Sequence, residues 1–241
     1  MGKSYKQWTN SLFHGRFSQS SLPVIHGIYL TNSEIVGDIF EYGKQLQGWE
    51  GSHYQTLYVY KFAYDEYLIR CDAMGMTECI VGMSETLRYC NILPSTKKYI
   101  VRKFQQTSED AMTRIDEFPL SNDLKVKHIV RCLAAIGIQH HELGEYEPAI
   151  MKYDQCIRMM NTMQHPQQYH GYGAVLLNSG VTYYYLQRFD DALQHLNAAL
   201  SAMKEATDIA SELFRDDQIR TTEAWIQNIE VMLGCMYTQH S

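Results

Sequence analysis

HIVRCLAAIGIQHHELGEYEPAIMKYDQCI, residues 128–157, returns 43 positions later as GYGAVLLNSGVTYYYLQRFDDALQHLNAAL, residues 171–200. The copies share kinds of residue more than letters. Small residues stand at Gly137, Ala149 and Cys156 in the first and at Gly180, Ala192 and Ala199 in the second, where two helices must approach closely. Between the helices lie Leu143-Gly144-Glu145-Tyr146 and Leu186-Gln187-Arg188-Phe189, each a tight turn followed by an aromatic that closes over it. The first turn has a glycine. The second relies on Gln187 or Arg188 to adopt the backbone that the turn needs. Pro148 falls in the first turn of its helix, where a missing N–H costs nothing. A helix pair repeated in tandem buries its apolar face against its neighbour, so the expected architecture is an all-α, right-handed solenoid, and solenoids mostly bind things.

These residues resemble the tetratricopeptide repeat (TPR). That pattern has small residues at close-packing points, large apolar ones between them and an aromatic after the turn. Leu133 and Leu176 stand where the family has an early Trp or Leu, and Tyr153 and Leu196 where it has a mid-helix aromatic. The late Tyr of the first helix is His140 in one copy and Tyr183 in the other, and the proline expected after the second helix is delayed from Asn161 to Pro166. The match covers residues 128–205. Its longer spacing resembles the extended-helix TPRs of kinesin light chains and related peptide binders.

Outside the two clear copies, the chain reads as a basic, irregular arm over residues 1–32, degenerate helical repeats over 33–120, two TPR-like repeats over 121–210 and a capping or truncated-repeat helix over 211–241. Asn32-Ser33-Glu34 predicts a helix reaching about residue 47. A tyrosine-rich helix is expected over 53–74, ended by Gly75, with its partner over 77–91 and Pro94 as the stop. Another helix is expected over 97–118, and Ser121-Asn122-Asp123 caps the next. The last helix, over 216–239, carries Leu233-Gly234 and Tyr237 as an echo of a third repeat. Tyr54, Tyr58, Tyr60, Tyr64 and Tyr67 put an aromatic stripe on the tyrosine-rich helix, and such a stripe is more often core than contact surface.

A net charge of −6 over 241 residues, with both signs interspersed, argues against a general nucleic-acid surface. No apolar run approaches a membrane span, so no membrane insertion is expected. The six cysteines, at 71, 79, 90, 132, 156 and 235, form no metal or disulfide pattern and read as reduced packing residues. The expected setting is therefore cytoplasmic, with a nuclear one open; the acid-free start and its Arg16 make a mitochondrial address the lesser alternative.

His140-His141-Glu142 suggests a zinc site at first sight, but Glu145 stands where a zincin needs its second His. No phosphate loop, nucleophile elbow or catalytic carboxylate pair is present in the sequence, so neither cofactor nor catalysis is expected. If catalysis occurred, it would fall in the half that the repeats do not cover, with His53 and Glu66 the residues to change.

The resemblance implies a groove lined by first-helix residues: Arg131, Ala134, Ile138, His141 and Glu142 in the first copy, and Leu177, Asn178, Val181, Tyr184 and Tyr185 in the second. In long-repeat TPRs an Asn placed like Asn178 holds the backbone of an extended peptide, offering both donor and acceptor. Ala134 and Ile138 occupy two points where chaperone-tail binders carry carboxylate clamps, which turns the expectation towards an apolar or helical ligand. The expected function is a non-enzymatic adaptor or scaffold that takes a protein or peptide partner, as a subunit of a multi-subunit complex. The alternative is a peptide-responsive sensor whose solenoid changes curvature to control a bound enzyme, with a hinge near Pro119.

Overall fold

The computed structural model describes residues 53–69, 72–89, 94–206 and 212–238. The expected arm over 1–32 and the helix ending near residue 47 lie outside them, as do Cys71, Cys90 and the side chain of Cys235. Among the described residues the regular elements are α-helices, with one short 3-10 turn, and the fold is all-α. No described helix is long and apolar enough to cross a membrane. The chain divides into two compact units, Met1–Phe118 and Pro119–Ser241.

The first unit contains α1 (His53–Ile69), α2 (Ala73–Tyr89) and α3 (Pro94–Ile115). The expected break at Gly75 is not there: α1 stops at Ile69 and α2 has begun by Ala73. Asp72 is the reason, because its carboxylate accepts the Gly75 N–H at 3.0 Å and satisfies one of the orphan donors of a helix start. Gly75 serves a different purpose, since a side chain there would strike the ring of Tyr67. Gly82 is matched in the same way to Tyr60, whose ring a Cβ would meet at 2.6 Å. The tyrosine stripe is thus mostly core: Tyr60 and Tyr64 are buried, while Tyr58 and Tyr67 are half-buried. Burial pushes the Tyr58 phenol up.

Buried hydroxyls on α2 stay satisfied by bonding back along the helix, Ser84 to Ile80 O at 2.9 Å and Thr86 to Gly82 O at 2.7 Å. Pro94 opens α3 instead of closing the pair before it, which suits a residue with no N–H to lose. The helix ends at Ile115, and Phe118 folds in beneath it, buried, with its N–H on Ile115 O at 3.2 Å.

The second unit contains α4 (Asn122–Glu142), α5 (Tyr146–Met160), a 3-10 turn (Pro166–Gln168), α6 (His170–Tyr185), α7 (Phe189–Glu205) and α8 (Glu212–Thr238). Ser121 is the N-cap of α4, its hydroxyl accepting from Leu124 N–H. Each helix packs on the next, and α6 also adjoins both α4 and α8.

The predicted small residues are where helices meet. Ala149, Cys156, Ala192 and Ala199 are fully buried. A Cβ on Gly137 would lie 2.5 Å from the Tyr153 ring, and one on Gly180 would lie 2.7 Å from Leu196 Cγ. Cys132 and Cys156 are free buried thiols; burial holds the Cys132 thiol up at about 12 and raises Cys156 further. Neither forms thiolate readily, which fits packing more than reactivity. Leu176, Ala199, Ala202 and Met203 form a cluster joined by Ile157, Leu177 and Ile219, so α5, α6, α7 and α8 share one core.

Candidate functional site

The two intra-repeat turns build the candidate site, because each carries the chain from the end of a first helix to the aromatic that opens the second. In copy one, Gly144 N–H donates to His141 O at 2.9 Å and Glu145 N–H to His140 O at 3.0 Å. In copy two, Gln187 N–H donates to Tyr184 O at 2.9 Å and Arg188 N–H to Tyr183 O at 3.0 Å. These bonds satisfy the last carbonyls of α4 and α6, and they need a left-handed residue between them. Gly144 supplies it at φ 73°, and Gln187 supplies it at φ 60° without being glycine.

The turns bring His141 beside Tyr146, and Tyr184 beside Phe189, with ring centroids 5.3 and 5.8 Å apart. Stacking the repeats joins the two groups. Tyr185 lies edge-on to His141 at 5.1 Å and nearly parallel to Tyr146 at 5.4 Å, with 16° between the planes. Trp225 of α8 extends the row, 5.1 Å from Tyr184 and 6.5 Å from Tyr185. The Tyr184 hydroxyl donates to Met232 Sδ at 3.5 Å. The result is an aromatic ladder across the ends of α4 and α6 and along α8. Tyr185, at its centre, is 47 % exposed.

A hydrogen-bond chain sets the orientation of His141. The Thr182 hydroxyl donates its one proton to Asn178 O at 2.7 Å, so its contact with His141 Nδ1 at 2.9 Å must be one in which the imidazole donates. His141 therefore carries a proton on Nδ1 and is tied across the repeat boundary to α6. His140 turns away, its Nδ1 2.7 Å from Glu145 Oε2. The adjacent histidines serve different partners and do not converge on one point.

Of the ten groove residues expected from sequence, His141, Tyr184 and Tyr185 come together in the ladder, and Ala134 and Glu142 are half-buried on α4. Val181 and Asn178 lie one and two turns back from Tyr185 along α6, both half-buried. Arg131 is also half-buried. Ile138 is only 4 % exposed, and Leu177, half-buried, packs on the Met203 cluster. Tyr146, Phe189, Trp225 and Met232 were not among the expected site residues. The signal for the first two was present, since each is the aromatic after a turn and they are 43 positions apart. The helix α8 meets the end of α6 with Trp225 and Met232; the expected echo at Gly234 and Tyr237 lies outside the residues whose side chains are described.

No protein-family model and no curated protein matches the chain. Among solved structures, BtubC (BKLC) from P. vanneervenii is similar over 85 % of this chain and 80 % of its own, with a TM-score of 0.50 at 14 % identity. The apo form of RapI is 18 % identical over 86 % of this chain, with a TM-score of 0.48; the chain spans about half, 53 %, of the length of RapI. The likeness to BtubC is one of fold, and it agrees with the all-α architecture of helix pairs described above.

Proposed function

We propose that the protein is a non-enzymatic adaptor or scaffold that binds a protein or peptide partner on the face formed by α4, α6 and α8, as a subunit of an intracellular complex. The observation that carries this reading is the aromatic ladder. Four tyrosines or tryptophans with a histidine lie in one row, and the central ring is half in water. Aromatic rings with polar tips and few rotatable bonds are the side chains that dominate binding energy at protein interfaces. Interior packing would favour burying Tyr185, and here its fold places it at the surface. The 43-residue spacing and the carboxamide of Asn178 on the same helix support the extended-helix, kinesin-light-chain-like type of peptide binder.

The test is capture of a partner from native extract by the full chain and by Tyr185→Ala, with helicity compared by circular dichroism. Tyr185 is exposed enough that the variant should fold as the parent does. The expected result is one or more partners lost at least tenfold from the variant, because truncating a central aromatic hot spot costs roughly 2 kcal/mol or more. Partners captured equally by both proteins would remove the ladder from the function.

A further inference from the structure

Building on the peptide-binding reading, we propose that the stacked Tyr146–Tyr185 pair receives a cationic side chain, Arg or Lys, from the partner peptide. Three observations point there. First, the second unit is acidic: residues 119–241 hold nine Lys and Arg against fourteen Asp and Glu, a net charge of −5 out of the −6 for the chain. A basic ligand is drawn to such a surface, and an acidic one is repelled.

Second, the unit covers other tyrosine faces with its own cations. Lys127 Nζ stands 5.0 Å from the centre of the Tyr169 ring, and the Arg188 guanidinium stands 4.7 Å from that of Tyr183. Both rings are buried. The ladder differs: among the described residues no Lys or Arg lies over the rings of Tyr146, Tyr185 or Trp225, although Tyr185 is the most exposed of them. An electron-rich aromatic residue that is 47 % exposed, in an acidic unit, is a place for a cation from outside.

Third, the ring is held ready. Tyr185 is braced by the stacked Tyr146, by T-shaped contacts with His141 and Tyr184 and by Trp225 beyond, so it has little freedom to lose on binding. The Nδ1–H of His141 is committed to Thr182, which fixes that brace in turn.

The test uses heptapeptides selected from a randomised phage library on the full-length protein, then synthesised with each Arg replaced by citrulline, which keeps the shape and removes the charge. The selected peptides are expected to share an Arg or Lys. Citrulline should weaken binding about five- to tenfold. Tyr185→Leu, which keeps apolar area and removes the π face, should weaken the Arg peptide by a similar factor and leave the citrulline peptide nearly unchanged. Tyr185→Phe should bind the Arg peptide almost as the parent does. Peptides that depend on Tyr185 but bind equally with Arg or citrulline would overturn the cation proposal and leave the peptide groove standing. Selected peptides that ignore every Tyr185 variant would overturn both.

Discussion

The two repeats of the second unit solve the same packing problem with different side chains, position for position. In copy one Gly137 faces the ring of Tyr153; in copy two, 43 residues on, Gly180 faces Leu196. Both large residues are fully buried. At the turn, Gly144 and Gln187 hold the same left-handed backbone and the same pair of hydrogen bonds. At the ladder, His141 and Tyr184 correspond, as do Tyr146 and Phe189. What the repeat preserves is therefore the backbone path and the distance between helices. What it varies is the chemistry presented at the ends, and that variation is what lets His141 bond to Thr182 in the next repeat while Tyr184 reaches α8.

The sharpest way to break the equivalence is at the helix contact. Gly137→Ala would put a methyl against a rigid, buried ring, and it should destabilise the protein by about 1–3 kcal/mol, as overpacking of a filled core does. The same change in a Tyr153→Leu background, where copy one mimics copy two, should cost at least about 1 kcal/mol less, because a leucine end can yield where a ring cannot. Urea unfolding of the four proteins of this cycle measures the coupling. Equal costs of Gly137→Ala in both backgrounds would mean that the backbone, not the ring, sets the distance.

The turn gives a smaller and opposite effect. Gln187→Gly relieves a non-glycine residue of left-handed backbone and should stabilise by about 0.5–1 kcal/mol, after the entropy that glycine adds to the unfolded chain. Gly144→Gln should cost a similar amount, since open space around Gly144 leaves only the backbone to object. A loss of stability in Gln187→Gly would show that the Gln187 side chain, and not the hydrogen-bonded turn, holds copy two in shape.

How far the sequence was legible follows from the same comparison. Gly137, Ala149 and Gly180 could be read because a second copy shows which positions must stay small. Gly75 could not, because a lone glycine looks alike whether it ends a helix or admits the ring of Tyr67. The burial of Ile138 and the packing of Leu177 on the Met203 cluster were not legible, because a first helix in a stack is covered on several sides and a repeat pattern does not say which apolar position is covered. Trp225 lacked a partner copy altogether. Its place beside Tyr184 depends on how α8 docks, and that is set by tertiary packing such as Thr222 against Met203, 3.7 Å apart. The pairing of Tyr146 with Tyr185 was hidden for a similar reason, since it crosses from one repeat to the next.

The smallest effect separates the copies by pH. Copy one has Lys152 where copy two has His195, whose ring lies 4.9 Å from Tyr183. Burial lowers the His195 pKa from its ordinary 6.5; Asp154 and Asp191 oppose the shift and Arg188 adds to it. Its Nδ1 is buried and has no hydrogen-bond partner, consistent with a neutral ring in a dry setting. With the folded value below the unfolded one, the unfolded chain takes up the proton first. Stability from this group is complete above pH 6.5, declines as the pH falls from 6.5 towards the folded value, and changes no further below it. Copy one has no imidazole at the equivalent place, where Lys152 stands, so this contribution belongs to copy two alone. Urea unfolding at pH 7.5 and pH 5.5 should show a loss of stability on acidification in the parent that is reduced in His195→Gln. An undiminished loss in that variant would move the pH sensitivity to another histidine and leave the two copies equivalent in this respect.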